Sequence, residues 1–143
     1  MNMIKIIMKL RLIIMVLLSF IGSNAFAYHF CVDGIYYNIT SLESPYEVEV
    51  TYKDDKYMSY TGDVVIPESF MYNNSKYLVT SIGEDAFYNS DGLKSIEIPE
   101  SIAKVGDYTF EGCDDITKVI WNAKNLEVNV MMSLKRHLFM LSP

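Results

Sequence analysis

The sequence predicts a small β-rich solenoid, with α-structure at most a minor part, entered through a cap of β hairpins. Three observations carry this. Ser81-Ile82-Gly83-Glu84-Asp85-Ala86-Phe87 returns 23 residues later as Lys104-Val105-Gly106-Asp107-Tyr108-Thr109-Phe110, and Leu93, Ile96 and Ile98 return as Ile116, Val119 and Trp121. A fixed period in the twenties, with apolar residues at constant phase, belongs to coils of chain that stack on one another. Asp63-Val64-Val65-Ile66-Pro67-Glu68-Ser69 matches Ser95-Ile96-Glu97-Ile98-Pro99-Glu100-Ser101, so a short strand ending in proline recurs. Asp33-Gly34 stands between two apolar runs, and that dipeptide is preferred in two-residue hairpin turns because both positions need positive φ.

Residues 1–27 read as a signal peptide rather than as fold. Lys5, Lys9 and Arg11 make a positive start, Leu12 to Ile21 is an uncharged and mostly apolar run, and Ala25-Phe26-Ala27 offers small residues for cleavage before Tyr28. An apolar run of about ten residues is too short to span a bilayer. Cys31 follows Tyr28-His29-Phe30 rather than a small-residue box, which argues against a lipid anchor. Cleavage would remove three of the twelve basic residues and none of the eighteen acidic ones, taking the formal charge from -6 to -9. Such a surface repels nucleic acid and acidic membranes, and neither is expected as a partner.

Residues 28–60 read as the hairpin cap. Phe30-Cys31-Val32 and Ile35 to Ile39 flank the Asp33-Gly34 turn, and a polar loop runs from Ser41 to Pro45. Glu47 to Tyr52 then alternates with period two, as a strand with one buried face should. Lys53 to Lys56 reads as a turn after which Tyr57 to Tyr60 pairs back. Nine of the eleven tyrosines fall within residues 28–77, open to two readings: packing in a strand-rich segment, or rigid contact area for a protein or sugar.

Residues 61–122 hold about two and a half repeats. The first is long: its strand motif recurs at a spacing of 32, and the nine extra residues lie within Phe70 to Val79, where Asn73-Asn74-Ser75 reads as the tip of an inserted hairpin. In each coil Ile96 and Ile98, then Val119 and Trp121, point inward. Pro99 ends the strand because it has no N–H for a ladder. Ile102 and Val105 turn inward on the other side. Gly83 and Gly106 mark sharp bends, Phe87 and Phe110 fill the space between coils, and Ser90 and Cys113 share one small inward position.

Ile82-Gly83-x-x-Ala86-Phe87, followed by Leu93-x-x-Ile96-x-Ile98-Pro99-x-x-Ile102-x-x-Val105-Gly106 and the Gly112-Cys113 pair, closely resembles the BspA-like leucine-rich repeats of bacterial surface proteins. The resemblance covers residues 61–122. It implies a curved leucine-rich repeat solenoid with a short parallel sheet on its concave side, in a secreted or cell-surface protein that binds host or neighbouring-cell molecules. The chain departs from the family in having few repeats, which leaves the cap to supply part of the core, and in the tail at 123–143. There Met131, Leu134, Leu138 and Leu141 fall at helical spacing. A capping helix, an unordered tail and a membrane-touching segment are all compatible with that pattern.

No catalytic constellation emerges, and no metal or cofactor is expected. His29 and His137 each lie within a few residues of a mature terminus, where a solvated side chain is expected rather than the held base that a triad needs beside Ser or Cys and an orienting acid. Cys31 and Cys113 are too far apart in sequence for a disulfide framework or a zinc site. Asp54-Asp55 and Asp114-Asp115 lack the loop pattern of a calcium site, and a two-coil solenoid offers no deep pocket. The expected function is non-catalytic, adhesin-like recognition of a protein or glycan by an exported, secreted, cell-surface or periplasmic chain, without membrane insertion once the signal is removed. A decayed or truncated repeat fragment, and a small carbohydrate-active enzyme, are the alternatives. If Ile96 and Ile98 point inward, Ser95 and Glu97 point outward. By the same phase Asp63 and Val65 flank them on one side, and Lys118 and Ile120 on the other. These six residues form the candidate binding patch on the concave face, against the alternative of an ordinary solvated strand.

Overall fold

The structure, a computed structural model, describes residues 27–124 together with the helical positions Met3, Ile6, Ile7 and Lys9. The remainder of the expected signal peptide, and the expected tail helix from residue 125 onward, lie outside the described residues. Between residues 27 and 124 the chain has nine strands and no helix.

The cap forms as its turn chemistry dictates. β1 (Phe30–Val32) and β2 (Ile35–Ser41) pair antiparallel across Asp33 and Gly34, whose φ values of 50° and 80° are those a tight hairpin turn requires. β3 (Tyr46–Thr51) pairs antiparallel with β2 and buries Val48 and Val50 on one face. The expected return strand at Tyr57 to Tyr60 does not form. Its role falls to side chains: the Lys53 N–H donates to Ser59 Oγ at 2.7 Å, and the buried Tyr60 hydroxyl donates to the Thr51 carbonyl at 2.5 Å while accepting the Tyr36 N–H at 3.2 Å.

From β3 onward the chain alternates between two sheets. β4 (Gly62–Val65), β7 (Leu93–Ile98) and β9 (Lys118–Trp121) form a parallel three-stranded sheet. β3, β6 (Ser75–Ile82) and β8 (Lys104–Val105) form the parallel part of the other, to which β1, β2 and β5 (Ser69–Tyr72) add antiparallel strands. β5 and β6 are the inserted hairpin: Asn73 and Asn74 turn at φ 47° and 62°, and Tyr72 faces Ser75. The cap is therefore continuous with the repeats, because β3 occupies in its sheet the place a further coil would take.

The turns between the sheets stack as well. Asp85, Phe87 and Asn89 donate their N–H groups to the carbonyls of Asp107, Thr109 and Glu111 at 3.1, 3.0 and 2.8 Å. These bonds satisfy backbone that would otherwise be lost to the ladders. Phe87 and Phe110 stack with centroids 5.3 Å apart and planes 10° from parallel. Gly83 and Gly106 act differently from expectation. Neither has positive φ; each is small because another backbone passes close by. A β-carbon on Gly106 would lie 2.3 Å from the Glu84 nitrogen. The left-handed positions are instead Asp85 and its repeat mate Tyr108, at φ 56° and 52°, and Asn89 and its mate Gly112, at φ 51° and 73°.

One core runs through the whole assembly. Ile35, Val48 and Val50 of the cap join Val79, Ile82, Phe87, Leu93, Ile96, Ile98, Ile102 and Ile116 of the repeats. Burial of each such aliphatic side chain contributes roughly 1.5–3 kcal/mol. Ser90 and Cys113 share their buried position as expected, the Cys113 thiol donating to the Phe87 carbonyl at 3.0 Å. Both cysteines are free thiols, Cys31 exposed and Cys113 buried.

Candidate binding surface

The parallel register of β4, β7 and β9 brings the six sequence-predicted residues side by side in two rows. Asp63 lies opposite Ser95 and Ser95 opposite Lys118; Val65 lies opposite Glu97 and Glu97 opposite Ile120. Their inward neighbours Val64 and Ile96 are buried and Val119 half-buried, so strand alternation turns the six outward. With strands about 4.8 Å apart, each row spans about 10 Å.

The first row is polar. Ser95 Oγ donates to Asp63 Oδ1 at 2.5 Å, and Lys118 adds an exposed positive charge at the far end. The second row sets Glu97 between two β-branched side chains. Val65 is 62% exposed, while Ile120, expected to be open, is half-buried. The exposed apolar area of that row therefore concentrates at its β4 end. Asn122 Nδ2 donates to Glu97 Oε1 at 3.4 Å. Outside the rows, Lys94 bridges Asp115 at 2.5 Å and Lys124 pairs with Glu100, fastening successive coils through solvent-exposed contacts worth little individually.

Two open clefts mark the surface among the described residues. One, of about 490 Å³, lies between the β1–β2 hairpin and β4 and is lined by Asp33, Tyr37, Asp63, Val65 and Phe70 among others. The other, of about 840 Å³, runs over β3, β6 and β8, where Glu47, Glu49, Glu84 and Asp107 are joined by Lys104. Neither could be read from the repeat period, since both arise where cap strands meet coils.

The tyrosines divide by place. Tyr37, Tyr60 and Tyr77 are buried, and Phe30, Phe70, Tyr72 and Tyr77 pack ring on ring, Phe30 and Tyr72 stacking at 4.8 Å. Burial raises the Tyr37 and Tyr60 hydroxyls well above their ordinary range. Packing accounts for these rings. Tyr52, Tyr57 and Tyr88 form a half-buried file, with successive centroids 4.7 and 5.5 Å apart.

Several groups that could carry chemistry are occupied or buried, while the Cys31 thiol is exposed. Burial pushes the Cys113 thiol up to about 12, far from a nucleophile's range. His29 Nδ1 accepts the Ile39 N–H at 3.2 Å, and Asp54 Oδ1 accepts the Lys56 N–H at 3.0 Å within its turn. His137 lies outside the described residues. Among the described residues no group of three or more His, Cys, Asp or Glu is arranged to hold a metal ion, and no helix is long and apolar enough to cross a membrane.

Comparison with known proteins agrees with this geometry. The sequence model of the BspA type leucine rich repeat region (6 copies) matches residues 65–133. A leucine-rich repeat protein from Bacteroides ovatus is 31% identical over 64% of this chain, with a TM-score of 0.55. One from Bacteroides capillosus is 24% identical over 65%, with a TM-score of 0.52, and a leucine rich cell surface protein from Faecalibacterium prausnitzii is 19% identical over 64%, with a TM-score of 0.51; these two speak to the fold. The chain spans 23% of the first and third of these proteins and 64% of the second. No curated protein matches the sequence. The match and the parallel β-rich repeats agree: residues 65–133 resemble a BspA type leucine rich repeat region.

Proposed function

We propose that the protein is an exported, non-catalytic recognition module of the cell surface or extracellular space, built as a short leucine-rich repeat solenoid with a hairpin cap. It binds a protein or glycan through the outward face of β4, β7 and β9. The observation that carries this reading is the parallel register, in which Val65, Glu97 and Ile120 are neighbours beside the Asp63–Ser95–Lys118 row. Surface location draws support from the leader-like residues 1–27 and from the BspA type repeat match. The non-catalytic reading draws on the repeat-protein relatives and on the buried Cys113 thiol.

The test is a screen of immobilised glycans and extracellular proteins, followed by Glu97→Lys combined with Val65→Asp. A ligand of the strand face loses at least about tenfold in affinity, as central contacts do on truncation. Unchanged affinity in a folded double variant places the ligand elsewhere.

A further inference from the structure

Among the described residues β4 is an edge strand of its sheet. The N–H groups of Gly62 and Ile66 donate to the Gly92 and Glu97 carbonyls at 2.7 and 3.0 Å, so the even-numbered residues turn their backbone toward β7. Asp63 and Val65 turn theirs the other way, where among the described residues no strand pairs with β4. Two donors and two acceptors thus stand in a row along one strand. This edge opens into the cleft of about 490 Å³ whose opposite wall is the β1–β2 hairpin. The half-buried Val32, Pro67 and Phe70 line it with apolar surface; Asp33 and Asp63 contribute carboxylates, and among the described residues no Lys or Arg lines it. Edge strands are ordinarily covered or blunted by charge of their own. Here the free ladder sits beside two negative charges in a chain whose formal charge is -6.

We propose that this edge takes up an extended peptide bearing basic side chains, as an added strand alongside β4. The main chain of the peptide bonds to Asp63 and Val65, its alternate side chains reach the apolar wall, and its basic groups meet Asp33 and Asp63. Strand addition draws affinity from main-chain bonds and specificity from alternate side chains, so charge and spacing, more than exact sequence, select the partner. The inference goes beyond the strand-face reading: it rests on main-chain groups at an edge rather than on side chains of three strands, and each can fail alone.

The experiment uses a labelled, end-capped Lys-Val-Lys-Val-Lys peptide and its Glu-Val-Glu-Val-Glu counterpart, read by fluorescence anisotropy. The basic peptide binds, more weakly as salt rises, and the acidic one does not. Val65→Pro deletes one outward N–H at an edge position where proline is tolerated, and weakens binding at least about tenfold. Val65→Thr keeps that N–H and stays within about twofold of the parent. Amide exchange at Asp63 and Val65 slows when the basic peptide is added. If Val65→Pro does not fold, that exchange readout on the unaltered protein decides the matter. Equal binding of the two peptides, no binding, full affinity in folded Val65→Pro, or unchanged exchange overturns the proposal. So does a self-associated state that the basic peptide cannot dissociate, which would put a second copy of the chain on the edge.

Discussion

Gly106 has no room for a side chain, since a β-carbon there would sit 2.3 Å from the backbone nitrogen of Glu84, an atom held in the coil beneath. Gly106→Ala should therefore lower stability by about 3 kcal/mol, the upper range for forcing volume into a packed site, as read by urea unfolding. Tyr108 makes the opposite case. It is 60% exposed at φ 52°, so Tyr108→Gly gives up little contact and relieves about 1 kcal/mol of left-handed backbone cost; the same titration should show a gain. The phase of these residues was legible in the 23-residue echo, but their reasons were not. Sequence reading assigned the bend to Gly83 and Gly106, whereas the positive φ falls two residues later on Asp85 and Tyr108, neither of them glycine. Cys113 was legible in both place and character. Its thiol lies at about 12 when folded against 9.0 unperturbed, because burial disfavours the thiolate. The raised value leaves stability unaffected below about pH 9 and lowers it as pH rises from there toward 12, where only the unfolded thiol ionises. Cys113→Ala should remove the part of alkaline unfolding that begins near pH 9 and leave the part due to Tyr37 and Tyr60, which begins above 10, as followed by circular dichroism.

Elements depend on how side chains substitute for ladders. The segment after β3 carries the apolar spacing of a short strand, yet Met58 is exposed and Tyr57 sits at φ 64°, so no ladder forms. Tyr60 instead reaches back with its hydroxyl to Thr51 and Tyr36, a connection between separate elements that local spacing does not reveal. Tyr60→Phe leaves a buried carbonyl and an amide N–H without this partner and should cost about 2 kcal/mol, measured as a fall in unfolding midpoint at unchanged slope. The inserted hairpin was more legible, because Asn73 and Asn74 are among the few non-glycine residues that accept positive φ. The role of β3 was not legible: alternation identified a strand but could not say that it would run parallel to β6 and take the place of a coil.

At the scale of the whole molecule, the candidate strand face followed from the sequence because its register is set by the repeat itself. A motif recurring at 32 and then 23 residues fixes which side chains stand beside one another, whatever the loops do. The clefts escaped because they depend on where the cap hairpin meets β4 and on how the outer strands bring Phe30 against Phe70 and Tyr72, contacts between residues far apart in sequence. Cap and repeats share one core and act as one body. Trp121, the single tryptophan, reports from β9 in the last described coil, while the far-ultraviolet dichroism reports every strand. Urea unfolding followed by both signals on one sample should give a single transition with coincident midpoints. Separated midpoints, with the tryptophan signal lost while most of the strand signal remains, would contradict a shared core.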